Sequence, residues 1–337
     1  MKKYFLIIVL IQISYFVKAQ DPHFTQFFSS PLTLNPAYTG KIDGNVRFAG
    51  NFRNQWGQFS NGFKTYTASA DFKIENESLA YNDNLGIGIL MLNDKAGTAG
   101  LKTNYIGLSA AYHKALDEEG FQYISAGFQA AHVTKNVDYN KLIFENQLTN
   151  TGFDLGLSSN ENNLLPTLKY WDVNVGLLYS NAPTENSNFY AGVSVYHVNS
   201  PKESFLVGDI KIPQRYTLHG GGYFAIGGST QFHFSGMYTR QANASELLAG
   251  GAFAFNANGD WQENPTNIYL GGWNRFGDAF SPYAAIEFAN VRIGYSYDFN
   301  ISSKKTISNS KGGNELSLIY SPANASSKNK GIPCPKF

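Results

Sequence analysis

From Gly44 to Tyr320 the chain is a succession of short stretches in which apolar and polar residues alternate. No charge-free stretch is long enough for a membrane helix, which needs about 20 apolar residues. Only helices and closed barrels satisfy every backbone polar group in lipid. Alternation with a period of two, behind a secretion signal, is typical of barrels that span an outer membrane. The sequence therefore predicts an all-β fold, a transmembrane outer-membrane β-barrel.

The alternation divides into fourteen candidate strands. It is clearest where Tyr66, Ala68 and Phe72 share one face and Thr67 and Asp71 the other. The candidates lie near Val46–Arg53, Thr65–Ile74, Leu85–Leu92, Thr103–Lys114, Tyr123–Val133, Trp171–Tyr179, Phe189–Val198, Tyr216–Phe224, Gln231–Arg240, Leu247–Phe255, Ile268–Asn274, Ala279–Phe288, Val291–Phe299 and Glu315–Tyr320. A barrel of about 14 antiparallel strands follows, an even number as in bacterial barrels.

The connections support this division in part. With both termini periplasmic, the odd-to-even connections face outside and should be the longer ones. Three long connections fall there: Asn136–Tyr170, Asn199–Arg215 and Asn300–Asn314. Glu75–Asn84 and Ala257–Asn267 are long for periplasmic turns. The longest connection, Asn136–Tyr170, is either a surface loop with a binding role or a tolerated insertion, and a short hairpin inside it is one possibility.

The first nineteen residues have the three parts of a cleaved signal peptide. Lys2 and Lys3 form a positive region, Tyr4–Ile13 an apolar region, and Val17–Ala19 a cleavage site before Gln20. Cleavage removes three lysines and no acids, so the formal net charge changes from +1 to −2. This near-neutral balance gives no reason to expect nucleic acid as a partner.

The segment that follows, residues 20–43, differs from the rest of the chain. Pro22, Pro31 and Pro36 exclude a central strand or a helix. It is predicted either to lie over the base of the barrel as an ordinary amino terminus, or to act as a docking element or partial plug. The predicted organisation is signal peptide 1–19, periplasmic or plug-like segment 20–43, barrel 44–320 and carboxy-terminal extension 321–337.

Motifs for catalysis, cofactors or metals give no positive signal. The six histidines are scattered without paired-ligand spacing, and four of them, His113, His132, His197 and His233, are predicted at a girdle or in the lumen. The run Gly220–Gly222 lacks the lysine of a phosphate loop, and no GxSxG elbow occurs. The sequence thus predicts a protein that is not an enzyme and has no cofactor, metal or catalytic residues.

Several stretches together resemble the PorP/SprF family of outer-membrane proteins of the type IX secretion system. Asp21–Phe27 and Asn35–Gly40 are similar to its opening signature, Trp171–Tyr179 to its central strands, and Val291–Phe299 to a late strand. The ending Cys334–Phe337 is similar to its Cys-Pro-basic-Phe tail. The resemblance covers the mature chain in the family's order.

This resemblance implies a non-enzymatic barrel in protein export or surface attachment. One branch works with periplasmic ring components; another holds exported cargo, often a gliding-associated or adhesin-like surface protein with a type B C-terminal domain. The expected partners are therefore outer-membrane lipid and such secreted or periplasmic proteins. Nine residues become candidates for partner binding: Gln26, Pro31, Asn35, Pro36, Ala37, Tyr38, Gly40, Cys334 and Phe337. Cys334, the sole cysteine, is either a buried or reduced thiol or a junction to another envelope protein.

Two other functions remain compatible with the residues. A porin-like channel for small solutes is the first alternative, although about fourteen strands is narrower than the 16–18 of wide aqueous channels. A soluble β-sandwich with an adhesin role is the second. The barrel hypotheses require the apolar strand faces to point outward into lipid, around a polar interior.

Overall fold

The alternating segments form a closed wall of fourteen antiparallel strands, as predicted. The computed structural model describes residues 21–56, 62–75, 79–80, 82–97, 100–154, 156–160, 164–184, 186–205, 208–258, 266–302 and 311–322. The strands are β1 (Val46–Gln55), β2 (Phe63–Ile74), β3 (Asn84–Ala96), β4 (Leu101–Ala115), β5 (Gln122–Asn136), β6 (Leu148–Thr149), β7 (Gly152–Phe153), β8 (Thr167–Thr184), β9 (Ser187–Tyr196), β10 (Arg215–Gly227), β11 (Thr230–Gln241), β12 (Ala244–Asn256), β13 (Asn267–Arg275), β14 (Ala279–Phe288), β15 (Val291–Asn300) and β16 (Lys311–Tyr320).

The barrel closes where β16 pairs with β1, with Phe48 opposite Tyr320. All other barrel strands pair with their neighbours in sequence, and β5 pairs with β8. The strands β6 and β7 form a separate short hairpin within the longest connection.

The two faces of the wall differ in polarity as the sequence predicts. Phe48, Phe72 and Leu108 are exposed on the outer face. Arg47, Asn51 and other polar side chains are buried on the inner face. An apolar outer surface around a polar interior is the arrangement that lipid requires of a barrel. Among the described residues, no helix has the length and apolar character needed to cross a membrane.

The barrel has two distinguishable ends. At the long-loop end lie the connections 56–62, 97–100, 137–166, 197–214, 242–243, 276–278 and 301–310. At the short-turn end lie the connections 75–83, 116–121, 185–186, 228–229, 257–266 and 289–290. The two connections that were long for periplasmic turns do lie at the short-turn end. Both β1 and the end of β16 adjoin the short-turn end, as an even strand number demands.

Residues 21–45 lie inside this wall and run along it from one end to the other. Asp21 contacts His197 and Arg215 at the long-loop end. Gly40 contacts Asp71 near the short-turn end, where the chain turns into β1. Three short helical pieces, Phe27–Ser29, Pro31–Leu34 and Pro36–Tyr38, make up the middle. The prediction that the prolines exclude a helix is therefore wrong for single turns, because proline is tolerated in the first turn of a helix. We call residues 21–45 the luminal segment. The signal peptide and the tail beyond residue 322 lie outside the described residues, so the outer domain boundaries stay predictions.

Candidate functional site: the filled lumen and its vestibule

The Asn-Pro-Ala-Tyr run of the luminal segment forms a capped turn at the centre of the barrel. The Asn35 side chain accepts a hydrogen bond from the Ala37 N–H at 2.8 Å, which caps the turn Pro36–Tyr38. Proline at the first position supplies the φ angle that the turn requires. The Asn35 amide also donates to the backbone oxygen of Leu177 at 2.9 Å. The same side chain thus shapes the turn and attaches it to the wall.

Two wall glycines allow this turn to approach the barrel backbone. A Cβ atom added at Gly176 would lie 1.8 Å from Asn35 Oδ1. One added at Gly127 would lie 2.3 Å from the backbone of Pro36 and Ala37. Because real Cβ atoms do not come this close to other atoms, only glycine permits the observed packing.

Aromatic side chains fill the lumen on one side of the segment. Phe28 packs on Trp273 with ring centroids 4.8 Å apart and edge-on against Tyr283 at 5.6 Å. Tyr38 lies edge-on to Tyr190 at 6.2 Å. These rings belong to one buried apolar cluster that joins the segment to β8–β14. A lumen of this kind is packed as a core rather than left as an aqueous channel.

A charged network attaches the segment on the opposite side. The Glu315 carboxylate accepts hydrogen bonds from the backbone N–H groups of Thr25 at 2.7 Å and Gln26 at 2.9 Å, and it pairs with Arg53. Asp298 pairs with Arg53 at 2.9 Å and accepts from the Thr25 hydroxyl at 2.9 Å. Buried charges need such pairing because water cannot solvate them there.

The segment contacts every barrel strand through at least one of these modes. The wall residues concerned, one for each strand, are Arg53, Asp71, Gly86, His113, Gln129, Leu177, Tyr196, His219, Gln241, Glu246, Trp273, Tyr283, Asp298 and Glu315. The luminal segment therefore spans the cross-section of the barrel.

At the long-loop end the segment ends in an ionic contact that we call the Asp21 latch. His197 lies between two carboxylates, 2.7 Å from Asp21 and 2.8 Å from Asp172. Burial on its own lowers the pKa of His197, but the Asp21 and Asp172 carboxylates outweigh burial and raise the pKa to about 9. Burial on its own raises the pKa of Asp21, but the charges of His197 and Arg215 hold it well below its ordinary value of 3.8. The latch is thus an ion pair at neutral pH.

Above the latch is a cavity of about 580 Å³, which we call the vestibule. Its floor includes Asp21, His23 and Thr33 of the luminal segment. Its lining also contains an apolar set and a charged set. The apolar set is Trp56, Phe63, Leu90, Leu92, Ala96, Leu101, Val133 and Phe276, and the charged set is Arg53, Asp94, Lys135, Asp172, Glu203, Arg215, Glu246, Arg275 and Asp278. The volume is within the range of ligand pockets.

The candidate partner-binding residues of the luminal segment are brought together, but inside the barrel. Gln26, Pro31, Asn35, Pro36, Ala37, Tyr38 and Gly40 are all buried. Their contacts are with the wall of their own chain, so a partner could reach them only after the segment left the lumen. Their predicted contact with a partner stays a prediction. Cys334 and Phe337 lie outside the described residues.

The histidines are distributed largely as the strand pattern predicts. His113 and His233 are buried in the lumen, and His197 lies at its long-loop end. His132 faces outward and packs edge-on against Trp171 at 5.5 Å. Among the residues that the structure describes, no three His, Cys, Asp or Glu side chains are placed to hold a metal ion.

The vestibule was not identified from the sequence. The sequence nevertheless contains a signal for it, since Asp94, Asp172 and Glu246 are acidic residues within strands whose other face meets lipid. Charged residues at such positions must point into the lumen. Which of them face one cavity depends on pairing between distant strands, and alternation along the chain does not carry that information.

The closed wall, its apolar outer face and its polar lumen define a transmembrane β-barrel of the outer-membrane type, filled by its own amino-terminal segment. A family model described as "Type IX secretion system membrane protein PorP/SprF" matches residues 16–320. The chain belongs to this family, as its resemblance to the family's motifs predicts. Among curated proteins no sequence match is found.

Several solved structures are similar in fold. The toluene transporter TbuX of Ralstonia pickettii is 9% identical with a TM-score of 0.45, over 86% of this chain and 92% of that chain. The monoaromatic hydrocarbon channel CymD is 12% identical with a TM-score of 0.46, over 91% and 95%. The KdgM porin is 9% identical with a TM-score of 0.37, over 82% and 98%. Likeness at this level says nothing of what this chain binds.

Proposed function

We propose that this barrel is a non-enzymatic component of type IX secretion that holds a secreted surface protein at the outer membrane. Two observations support this proposal: residues 21–45 occupy the lumen from end to end, and the chain belongs to the PorP/SprF family. A barrel packed in this way offers a fixed platform in the membrane. Binding then takes place at its ends rather than along an open channel.

The contacts of the luminal segment support a platform over a porin. Aromatic packing on one side and paired charges on the other fill the space through which solutes would diffuse. The described cavity at the short-turn end, beside Lys41 and Tyr123, measures only about 40 Å³. Planar-bilayer recordings of the purified protein are expected to show no steady conductance. A stable open pore would favour the porin instead.

The long-loop end supports attachment of a surface protein. Loops are longer on the extracellular side of such barrels. The vestibule opens among these loops, and exposed apolar residues such as Ile143, Phe153 and Ile210 lie within them. Cargo of the kind with a type B C-terminal domain would dock here. Coupling to periplasmic ring components, the other role in this family, would instead use the short-turn end.

Gentle detergent extraction from native membranes, followed by affinity purification and mass spectrometry, tests this proposal. We expect a secreted surface protein to co-purify in amounts comparable to the barrel. Deletion of the β6–β7 hairpin and deletion within the 75–83 connection compare the two ends. Loss of the partner only in the hairpin variant supports surface attachment, and loss only in the 75–83 variant supports coupling to the ring. Recovery of the barrel alone would contradict both.

A further inference from the structure

The vestibule contains more carboxylates than its own cations can pair. Six Asp or Glu side chains line it, against four Arg or Lys side chains and the charged His197, which lies between Asp21 and Asp172. Lys135 pairs with Glu203 at 2.6 Å and Arg215 with Asp21 at 3.3 Å. Arg53 and Arg275 make their closest ion pairs with residues beneath or beside the cavity. The carboxylates that no lysine or arginine pairs closely are Asp94 on β3 and Glu246 on β12, while Asp172 on β8 pairs with His197 through one of its two oxygens only.

Glu246 is the most conspicuous of the three. Its side chain is 10% exposed, and its Oε1 atom has no hydrogen-bond partner among the described residues. Its Oε2 atom lies 3.5 Å from both His23 and Arg275, which is beyond a good charged hydrogen bond. The Oδ2 atom of the fully buried Asp172 side chain is also without a partner. Buried oxygens without donors are costly, and a ligand that supplies donors would remove the cost.

The opposite wall of the vestibule has a different chemistry. Leu92 on β3, Leu101 on β4 and Val133 on β5 face the cavity with Phe63 beside them. Apolar side chains inside a lumen are out of keeping with a solvent passage. They suit a ligand that has an apolar part next to its charged part.

We propose that the vestibule binds a short peptide segment in which a basic side chain stands next to apolar side chains. The basic group donates to Glu246, and the apolar side chains lie against β3–β5. This inference rests on the proposed function, since the peptide belongs to the surface protein that the barrel holds. A peptide fits better than a small amine because the cavity also presents an arginine Nε donor without a hydrogen-bond partner among the described residues, at Arg215, which a peptide carbonyl could accept.

The test uses the full-length protein in neutral detergent and three labelled, capped hexapeptides. Each peptide alternates leucine with arginine, glutamine or glutamate. Fluorescence anisotropy is expected to show the arginine peptide binding about tenfold or more tightly than the glutamine peptide, because a charge-assisted hydrogen bond is at stake. The glutamate peptide should bind weakest. A titration with protein-free detergent micelles measures how much of the anisotropy change comes from peptides that enter the micelles.

Variants connect the binding to the vestibule. Glu246→Gln keeps the volume of the side chain and should remove most of the preference for arginine over glutamine. Asp209→Asn is the matched control, since Asp209 lies in a long-loop connection with its side chain 78% exposed, outside the cavity. It should bind like the wild type. Thr103→Trp, which fills the cavity without changing charge, should weaken all binding. Heat-modifiable gel migration shows that each variant folds.

Equal binding of the three peptides, or an unchanged preference in Glu246→Gln, would overturn the proposal. Displacement of the arginine peptide by free arginine at similar concentration would assign the site to a small amine instead, and would also overturn it. If the native partner still co-purifies with Glu246→Gln and Thr103→Trp, the vestibule inference fails while the platform function stands. If peptides bind as expected but no partner co-purifies, the platform function fails while peptide binding in the vestibule stands.

Discussion

At Gly176 a single hydrogen atom in place of a methyl group decides whether the Asn35 turn can dock. The wall backbone and the Asn35 side chain are in contact there, and the neighbouring Gly127, which pairs with Gly176 in the β5–β8 ladder, is in contact with the backbone of Pro36 and Ala37. Small-to-large changes in packed sites typically cost about 1–3 kcal/mol. The absence of a side chain at Gly176 therefore determines how firmly the luminal segment is held.

Gly176→Ala should loosen the luminal segment without opening the wall. The added Cβ would overlap Asn35 Oδ1, so we expect destabilisation of about 1–3 kcal/mol and faster proteolysis within residues 21–45. Gly50→Ala is the control, since its Cβ would meet nothing closer than 3.6 Å. Thermal midpoints in detergent and limited proteolysis measure both. Equal behaviour of the two variants would show that the turn does not depend on this approach.

The Asp21 latch should depend on pH in a direction fixed by its two pKa shifts. Asp21 and Asp172 together raise the pKa of His197 from 6.5 to about 9, so the part that Asp21 contributes to docking is complete below pH 6.5 and is lost as the pH rises through about 9. Docking lowers the pKa of Asp21 from 3.8, so its contribution is lost only in acid below that value. The latch is therefore most stable between about pH 4 and 6.5.

Proteolysis near Asp21 measured from pH 6 to pH 10 checks this expectation. Cleavage of the wild type should accelerate towards pH 10. In His197→Gln the rate should be high throughout and show little change with pH, apart from that of the protease, which a peptide substrate calibrates. A wild-type rate that stays flat across this range would rule out the charged latch.

At the scale of the elements, the sequence predicted the strands and their faces well. Period-two alternation is a local property, and lipid on one face enforces it. The ends were less accurate because pairing extends strands beyond the alternating part. The strand near Trp171 begins at Thr167 because the β5 ladder starts at Asn136, and it ends at Thr184 because Thr184 pairs with Ser187 of β9.

The luminal segment is the element that the sequence defined least. Its prolines excluded a strand, and its Asn-Pro-Ala-Tyr turn was evident, but two locations remained open. Its place is set by contacts across more than 100 residues, such as those of Asn35 with Leu177 and Thr25 with Glu315. Nothing in a local pattern specifies such partners. The vestibule, which the segment floors, was missed for the same reason.

Removing the segment should convert the barrel into a pore. Deletion of residues 25–39 takes away the aromatic and hydrogen-bonding groups that fill the lumen, while the strand ladder remains closed. We expect stable conductance steps in planar bilayers, absent from the wild type. Deletion of the β6–β7 hairpin is the control, because this hairpin lies outside the barrel sheet and should leave the lumen closed. If the variant without residues 25–39 shows no conductance although its heat-modifiable migration shows that it folds, other groups close the lumen.

At the scale of the whole molecule, the luminal segment changes which side each end of the chain reaches. β1 starts and β16 ends at the short-turn end, which would put both termini on the same side. The segment, however, runs back through the lumen, so that Asp21 contacts His197 and Gln241 at the long-loop end. Asp21 should therefore be presented on the side opposite Tyr320. With the longer loops outside, that side is the cell surface.

Epitope tags on the full chain check this topology. A tag inserted directly before Asp21 should bind antibody on intact cells, and a tag inserted after Pro322 should bind only after the outer membrane is permeabilised. A tag at Asp209, in a long-loop connection, is the surface control, and a soluble periplasmic protein reports leakage. Because folding of the wall around the segment fixes this threading, the result should not depend on the partner. Equal accessibility of the first two tags would place both termini on one side and would contradict the path of residues 21–45 through the barrel.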